Sequence, residues 1–580
     1  MNLVFDIETD GLDPSKIWCL SVLDVDTKTQ MSYGPTKLEE GLSILKQADK
    51  LIGHNIIGFD IPVINNLTGV DLSSKKIVDT LVLSRLFNPV REGNHGLERW
   101  GYALGSPKIE FEEYGRYSEE MLKYCEQDVY LNYQVYEALK IESRGFSGQS
   151  ILLEHETSRI LNDQRTHGFL FDTEEASKLL ALLNSRVSEI TSIIQEVFKP
   201  RKEIRKIFKR YSPKGKLLKT GVDNFGKNTR LTDEEYSKIE QSKYVERVYT
   251  QEFNPGSRQQ IGEYLQEFGW KPLEHTPTGQ AKVDEKILSE IKDIPEAKVI
   301  AEYLMLQKRV AQINSWFKEL NESTDRVHGF VNHNGTITGR MTHRNPNMAQ
   351  IPSLSSSYGK ECRACWIVPE GYKLVGIDAS GLELRMLAHY MKDEEYTNEI
   401  LNGDIHTTNQ KLAGLESRNQ AKTFIYALLY GAGDAKLGTV AGGGKRVGRN
   451  LRKSFISNLP SFKDLKDRVA RASAKGHLKA LDGRKLYIRS EHSALNTLLQ
   501  GAGSIVMKQA LVILNKKIAH LDARFVANVH DEWQIEVRQD QADEVGRLGV
   551  EAIIEAGKVL NLNCPLDGEY KVGDNWSETH

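Results

Sequence analysis

The 580-residue chain has little cysteine, little net charge and no long uninterrupted apolar run. Its five cysteines (Cys19, Cys125, Cys362, Cys365 and Cys564) are too few for a disulfide framework. They point to a reducing compartment, so a cytoplasmic location is expected. Cys362 and Cys365 form a single C-x-x-C; no second pair follows at zinc-site spacing, and they read as packing residues. The 77 basic and 79 acidic side chains nearly cancel, leaving −2, so global charge identifies no nucleic-acid or membrane partner. No stretch reads as a membrane span, and no membrane association is expected. The opening "MNLVFDIETD" lacks a basic leader and meets an acid at Asp6, unlike a signal peptide. What remains is an ordinary globular composition in a chain too long for one core, so several domains are expected.

In the first 150 residues, "LVFDIET" reads as a strand, "IWCLSVLDV" as a second and "KLIGHNI" as a third or fourth. Helical patterns follow from Pro62 and Ser118, which together suggest an α/β domain with a mixed sheet. Asp6 and Glu8 lie two apart on the first strand and project from one face. Alone they suit a solvent-facing edge strand; aimed at one point they suit a hard divalent cation. Further acids come at Asp60 in "GHNIIGFD" and Asp128 in "YCEQDVYLN", with Tyr124 one helical turn before Asp128. The series D-x-E, N-x-x-x-F-D and Y-x-x-x-D resembles the DEDD-type 3′–5′ exonucleases with tyrosine in the third motif. The resemblance implies that Asp6, Glu8, Asp60 and Asp128 hold two metals and that Tyr124 orients the attacking water.

Near the other end, "LVGIDASGLELRMLAHY" runs from a strand ending at Asp378 into a helix, where Ser380 is placed to cap. Capping is also the plain alternative for Asp378 itself. "VHDEWQIEV" puts His530, Asp531 and Glu532 at the start of a second strand, where adjacent carboxylates repel. Asp378 and Asp531 side by side would make a two-metal site for phosphoryl chemistry. Between them, "ESRNQAKTFIYALLYGAG" places Arg418, Lys422, Tyr426 and Tyr430 along one helix stripe, ended by Gly431 and Gly433. A surface helix accounts for the two cations but not for two tyrosines on the same stripe. "GTVAGGGKRVG" is not a phosphate loop: the first glycine is missing and Arg446 stands where Ser or Thr is required.

"DASGLELR", "RNQAKTFIYALLYGAG" and "VHDE" resemble motifs A, B and C of the family A (Pol I-like) DNA polymerases. "TGRMTHRNPNMAQIP", "NGDIHT", "DGRKLYIRSEHSALNTLLQGAG" and "VGDNWSETH" extend the likeness, whose phrasing is closest to replicative polymerases of short-tailed bacteriophages. It implies an α/β and α+β multidomain chain: an RNase H-like DEDD exonuclease (1–150), then a right-hand polymerase. Its parts would be a thumb (151–330), a first palm segment (331–403), fingers (404–484) and a second palm segment (485–580). No 5′-nuclease domain is expected. Asp378, Asp531 and the Ala379 carbonyl would hold two Mg²⁺, with Mn²⁺ able to substitute, as at the exonuclease site. Arg418, Lys422 and His406 would hold the triphosphate, with Lys422 as acid for pyrophosphate. Tyr426 and Glu383 would border the sugar, and Tyr430 would stack over the template base. Arg340, His492 and Gln500 would contact the minor groove, and His530 the primer end. The substrates would be primer-template DNA and dNTPs. A single-subunit RNA polymerase is disfavoured by Glu383 and the exonuclease motifs; a non-catalytic accessory subunit is disfavoured by the complete set of carboxylates.

Residues 199–230 hold twelve Lys/Arg against Glu203 and Asp223, interleaved with Phe208, Tyr211 and Phe225. This reads as a loop-rich, mobile basic arm for phosphates or an acidic partner. In the phage relatives an insertion here recruits host thioredoxin. The resemblance therefore implies thioredoxin or another processivity factor at about 199–252, with a replisome helicase-primase as a further partner.

Overall fold

Period-two patterning builds the first layer. In β1 (Asn2–Thr9), Leu3, Phe5 and Ile7 pack on one side with Leu20, Val22 and Leu51, while Val4 packs on the other with Ile52 and Val129. The structure, a computed structural model, describes residues 1–580. β1 runs antiparallel to β2 (Ile17–Asp24) and parallel to β4 (Lys50–Gly53). With β3 (Gln30–Tyr33) and β5 (Lys76–Asp79) the strand order is β3-β2-β1-β4-β5. This is the mixed sheet expected. Helix α1 (Asp60–Thr68) follows β4, and α2 (Glu119–Glu142) lies across the Val4 face of β1. Ser118 caps α2, its Oγ accepting from Met121 N at 3.1 Å, and Glu119 and Glu120 complement the positive helix end. Helix α3 (Gly148–His167) comes next.

Residues 174–317 form a separate compact unit. This unit is narrower than the span 151–330 expected for a thumb, and α3 buries Leu153 and Ile160 in the core of the C-terminal region. Within the unit, helices Thr173–Val197 and Pro295–Lys318 are joined by Arg186 Nε to Glu302 Oε1 at 2.7 Å. The basic segment between them is not a loop-rich arm. It forms β6 (Arg201–Phe208), β7 (Thr220–Asp223) and β8 (Asn228–Arg230), followed by α4 (Asp233–Gln241) and β9 (Tyr244–Gln251). The strands make an antiparallel sheet in the order β9-β6-β7-β8 around Ile207, Leu231, Ile239 and Val245. Charge hid a period of two: Glu203, Arg205 and Ile207 share one face, and Lys202, Ile204, Lys206 and Phe208 the other. Part of the compensating acid also lies outside the run, since Lys219 pairs with Asp233 and Arg201 with Glu263 and Glu267. The second face leaves Ile204 and Val248 exposed opposite each other.

The C-terminal region is organised by β10 (Tyr372–Ala379). After it come α5 (Leu382–Met391), α6 (Arg418–Leu429) and α7 (Ala494–Lys517). β11 (Ala523–Val529), β12 (Glu532–Arg538), α8 (Ala542–Val559) and β13 (Gly568–Gly573) complete it. The antiparallel sheet has the order β11-β12-β10-β13. Segment Glu491–Lys517 is long and apolar enough to cross a membrane, which the sequence reading overlooked because Asn496, Thr497 and Gln500 dilute the run. Its apolar window is 78% buried inside the fold, against α3, α5 and α8.

A buried ionic cluster ties α3 to the C-terminal region. Glu154 on α3 accepts from His333 Nδ1, Arg484 Nη1 and Lys508 Nζ, each at 2.5 Å. Asp482 accepts from Arg484 Nε at 2.8 Å. Two acids meet two cations, and burial pushes the His333 pKa down to about 4, so that ring is neutral. Nearby, Tyr487 Oη donates to Phe87 O at 2.8 Å and Asn334 Nδ2 to Arg85 O at 3.0 Å. Removing one partner from such a cluster strands buried charge and costs about 3–5 kcal/mol. Glu154→Ala is therefore expected to lower the melting temperature by several degrees; an unchanged melting transition would contradict this account of the junction.

Candidate active sites

The C-terminal site sits where three backbone segments end. β11 and β12 are joined by a two-residue turn, His530 and Asp531, with His530 in the left-handed region at φ 57°. Ala379 N donates to Asp531 O at 3.1 Å, fastening that turn to the end of β10. Asp378, on β10, thus faces Asp531 although they are far apart in sequence. Ser380 does not cap α5: Gly381 occupies the cap position with φ 59°, and Ser380 N bonds Asp567 O at 3.0 Å. Asp378 makes no cap either, since α5 has no side-chain cap. A cavity of about 480 Å³ opens over the carboxylates, lined by Asp378, Ala379, His530 and Asp531. Arg340, Glu383, Tyr426 and Tyr430 form its rim.

The rim is already ordered. Glu383 Oε1 accepts from Tyr430 Oη at 2.5 Å and from Arg340 Nη2 at 3.0 Å. Helix α6 starts with a capping box, in which Ser417 and Gln420 bond each other's backbone N–H. Phe424, Ile425, Leu428 and Leu429 are buried, turning Arg418 and Lys422 outward. Gly431, at φ 76°, ends the helix, and Tyr430 is its C-cap. Arg418 is held by Asp404, Nε to Oδ2 at 2.6 Å. His406 stands 6.3 Å from the Tyr426 ring; burial first, then Arg418 and Lys422, hold its pKa below the ordinary value. Arg418, Lys422, His406, His492 and Gln500 do not line the cavity.

Asp378 and Asp531 are uncompensated. Burial, then Asp531 and Glu532, push the Asp378 pKa up to about 7, and burial raises Asp531 as well. Glu532, one residue on, is quite different. It accepts from Trp576 Nε1, Gln534 Nε2 and His580 Nδ1, each at 2.6 Å. Those bonds outweigh burial and hold its pKa below the ordinary value. It anchors the C-terminal tail and is not free to hold a metal. Cys362 and Cys365 are buried, in keeping with packing.

The N-terminal site lies between β1 and α2. Asp6, Glu8, Asp60 and Asp128 converge, and Ile7 N donates to Asp60 Oδ1 at 3.3 Å. Burial and mutual repulsion push Glu8 up to about 8, burial pushes Asp60 to about 7, and Asp6 rises well above its ordinary range. Ligand atoms of Asp6, Glu8 and Cys125 lie within 4.8 Å of one another, and Asp128 Oδ1 is buried without a partner. Oxygen donors short of counter-charge fit a hard divalent ion. Tyr124 stacks on Phe111 at 5.4 Å. Sequence reasoning missed two residues here. Cys125, one helical turn before Asp128, places Sγ 3.8 Å from Asp6 Oδ2, a position that i,i+3 spacing could have found. Lys108 bonds Asp128 Oδ2 at 2.5 Å from a segment without helix or strand, where no periodicity could point to it.

Two clusters of buried carboxylates thus stand on two separate sheets, one of them beside an open cavity. Residues 222–578 match the model of DNA polymerase family A, and residues 3–99 match that of the RNase H superfamily. The chain belongs to DNA polymerase family A. It is 34% identical over 713 aligned positions to the DNA-directed DNA polymerases of Enterobacteria phage T3 and Escherichia phage T7, covering 100% of both chains in each case. It is 30% identical over 358 positions to DNA polymerase I of Pseudomonas aeruginosa, covering 57% of this chain and 39% of that one. Among solved structures it is similar to the POL domain of Pol1 from M. smegmatis in complex with DNA primer-template and dNTP. That likeness has a TM-score of 0.77 at 17% identity, covers 100% and 95% of the two chains, and bears on fold.

The raised Asp378 pKa has a consequence for stability. Its folded value, about 7, lies above the ordinary 3.8, so ionisation costs the folded state more as pH rises from about 4 to about 7. Asp378→Asn removes that cost. With chelator present, the variant is expected to melt above the parent at pH 8 and by a smaller margin at pH 5. An equal difference at both pH values would contradict the uncompensated site.

Proposed function

We propose that the chain is a template-directed replicative DNA polymerase with a proofreading 3′–5′ exonuclease. The observation that carries this is the pair of separate carboxylate cages, each short of counter-charge and each on its own sheet. Asp378, Asp531 and the Ala379 carbonyl would hold two Mg²⁺ in one cage, and Asp6, Glu8, Asp60 and Asp128 two in the other, with Mn²⁺ able to replace them. Bound there, divalent ions supply activation of the attacking oxygen and stabilisation of the leaving one.

The chain's own residues do the rest. Arg418, Lys422 and His406 bind the triphosphate, which must draw Arg418 from Asp404; Lys422 delivers a proton to departing pyrophosphate. Glu383, braced by Tyr430 and Arg340, borders the sugar with Tyr426 and leaves little room for a ribose hydroxyl. Tyr430 closes the stack over the template base. Arg340, His492 and Gln500 test pair geometry through minor-groove acceptors that are alike for all pairs. His530 meets the primer end. In the N-terminal cage Tyr124 orients the water. Primer-template DNA and dNTPs are the substrates. The expected parts are an exonuclease domain at 1–150, a thumb centred on 174–317, a palm from 331 and 485 onward, and fingers at 404–484. Thioredoxin or another processivity factor docks on the sheet at 201–251, whose outer face carries Ile204, Phe208 and Val248 between lysines. A helicase-primase works alongside, in the bacterial cytoplasm.

The two activities should separate. Asp378→Asn or Asp531→Asn is expected to abolish primer extension and spare degradation of a single strand; Asp6→Ala with Glu8→Ala is expected to do the reverse. Loss of both activities from either change in a folded protein would overturn the two-centre reading.

A further inference from the structure

We infer that Lys108 is a resident counter-charge of the N-terminal cage, occupying it before metal enters and turning to the phosphate of the single strand once the ions are in. This rests on the exonuclease reading above. The segment bearing Lys108 has neither helix nor strand, yet it is tightly held. Gln127, next to Asp128, grips the residues on both sides: its Nε2 donates to Pro107 O at 2.6 Å, and its Oε1 accepts from Ile109 N at 2.6 Å. Further along, Trp18 Nε1 donates to Tyr114 O at 2.9 Å. So fastened, the backbone delivers the ammonium to Asp128 Oδ2 at 2.5 Å and over the Tyr124 ring at 4.6 Å.

A structural ion pair does not account for this placement. Such a pair is expected to neutralise what it buries. Here one ammonium pairs with Asp128 alone, and Asp6, Glu8 and Asp60, gathered around it, have no cationic partner. The ammonium also stands beside Asp128, assigned to the metals, and Tyr124, assigned to the reacting water. A positive charge there opposes a dication entering the cage. Once ions take over Asp128, a flexible lysine on a fixed backbone is left facing the scissile phosphate, whose negative charge it can stabilise. The two effects have opposite signs in experiment, which distinguishes this role from that of a brace.

The test uses the full-length chain with Asp378→Asn and Asp531→Asn, which silence the C-terminal cage. Bound Mn²⁺ is counted by electron paramagnetic resonance, and hydrolysis of a single-stranded oligonucleotide is measured at saturating Mn²⁺. Lys108→Met is expected to bind Mn²⁺ about fivefold or more tightly, since a nearby like charge is gone, while its maximal rate falls by about a hundredfold. Lys108→Arg, which keeps the charge, should restore the Mn²⁺ affinity to that of the parent and recover part of the rate. Weaker Mn²⁺ binding by Lys108→Met, with recovery in Lys108→Arg, would make Lys108 a brace for Asp128 and overturn the inference. Unchanged affinity, or an undiminished maximal rate, would also overturn it. If the parent does not hydrolyse the strand at all, the exonuclease reading fails separately, and the Mn²⁺ affinities still decide the counter-charge.

Discussion

Repulsion between gathered carboxylates is the constraint on which both sites depend. A chain does not place acids together in a half-buried cleft unless the backbone forces them there. Here the forcing is explicit. β1 aims Asp6 and Glu8 at one face, α2 lays Asp128 against it, and Ile7 N bonds Asp60. At the other site the Ala379–Asp531 backbone bond and a left-handed His530 bring a turn against a strand end. In both, the carboxyl pKa values rise, the electrostatic mark of charge awaiting a cation.

The contrast with other buried acids in the same fold sharpens this. Glu154 accepts from three donors, Glu532 from three, and Glu536 from Arg326 Nη2 at 2.9 Å and His167 Nε2 at 3.0 Å. All three are held below the ordinary carboxylate range despite burial. Asp531 and Glu532 are adjacent, yet one is left free and the other fully engaged. Burial is common to both groups of acids; what separates them is how many partners they have. The compensated acids join segments, as Glu154 does at the junction, and hold the uncompensated ones in place.

Much of this was legible in the sequence because short-range spacing carries it. D-x-E on a strand, Tyr124 and Asp128 on one helix, and the Arg418–Tyr430 stripe are local patterns, and each appears on the element expected. What failed depended on partners distant in sequence. The basic run concealed a sheet because balancing acids, Asp233, Glu263 and Glu267, lie beyond it. Ser380 looked like a cap because Asp567, which takes its N–H, is far down the chain. Helix α3 was grouped with the thumb because its partners, Arg484, Lys508 and β11, come more than three hundred residues later. Lys108 gave no local signal.

Both sites rest on one claim: each cage is built for divalent cations. Crystals of the full chain soaked in Mn²⁺ and mapped by anomalous scattering test it directly. The account predicts Mn²⁺ between Asp378 and Asp531 and, separately, among Asp6, Glu8, Asp60 and Asp128. Anomalous peaks elsewhere on the surface, with neither cage occupied at Mn²⁺ concentrations that support activity, would contradict it.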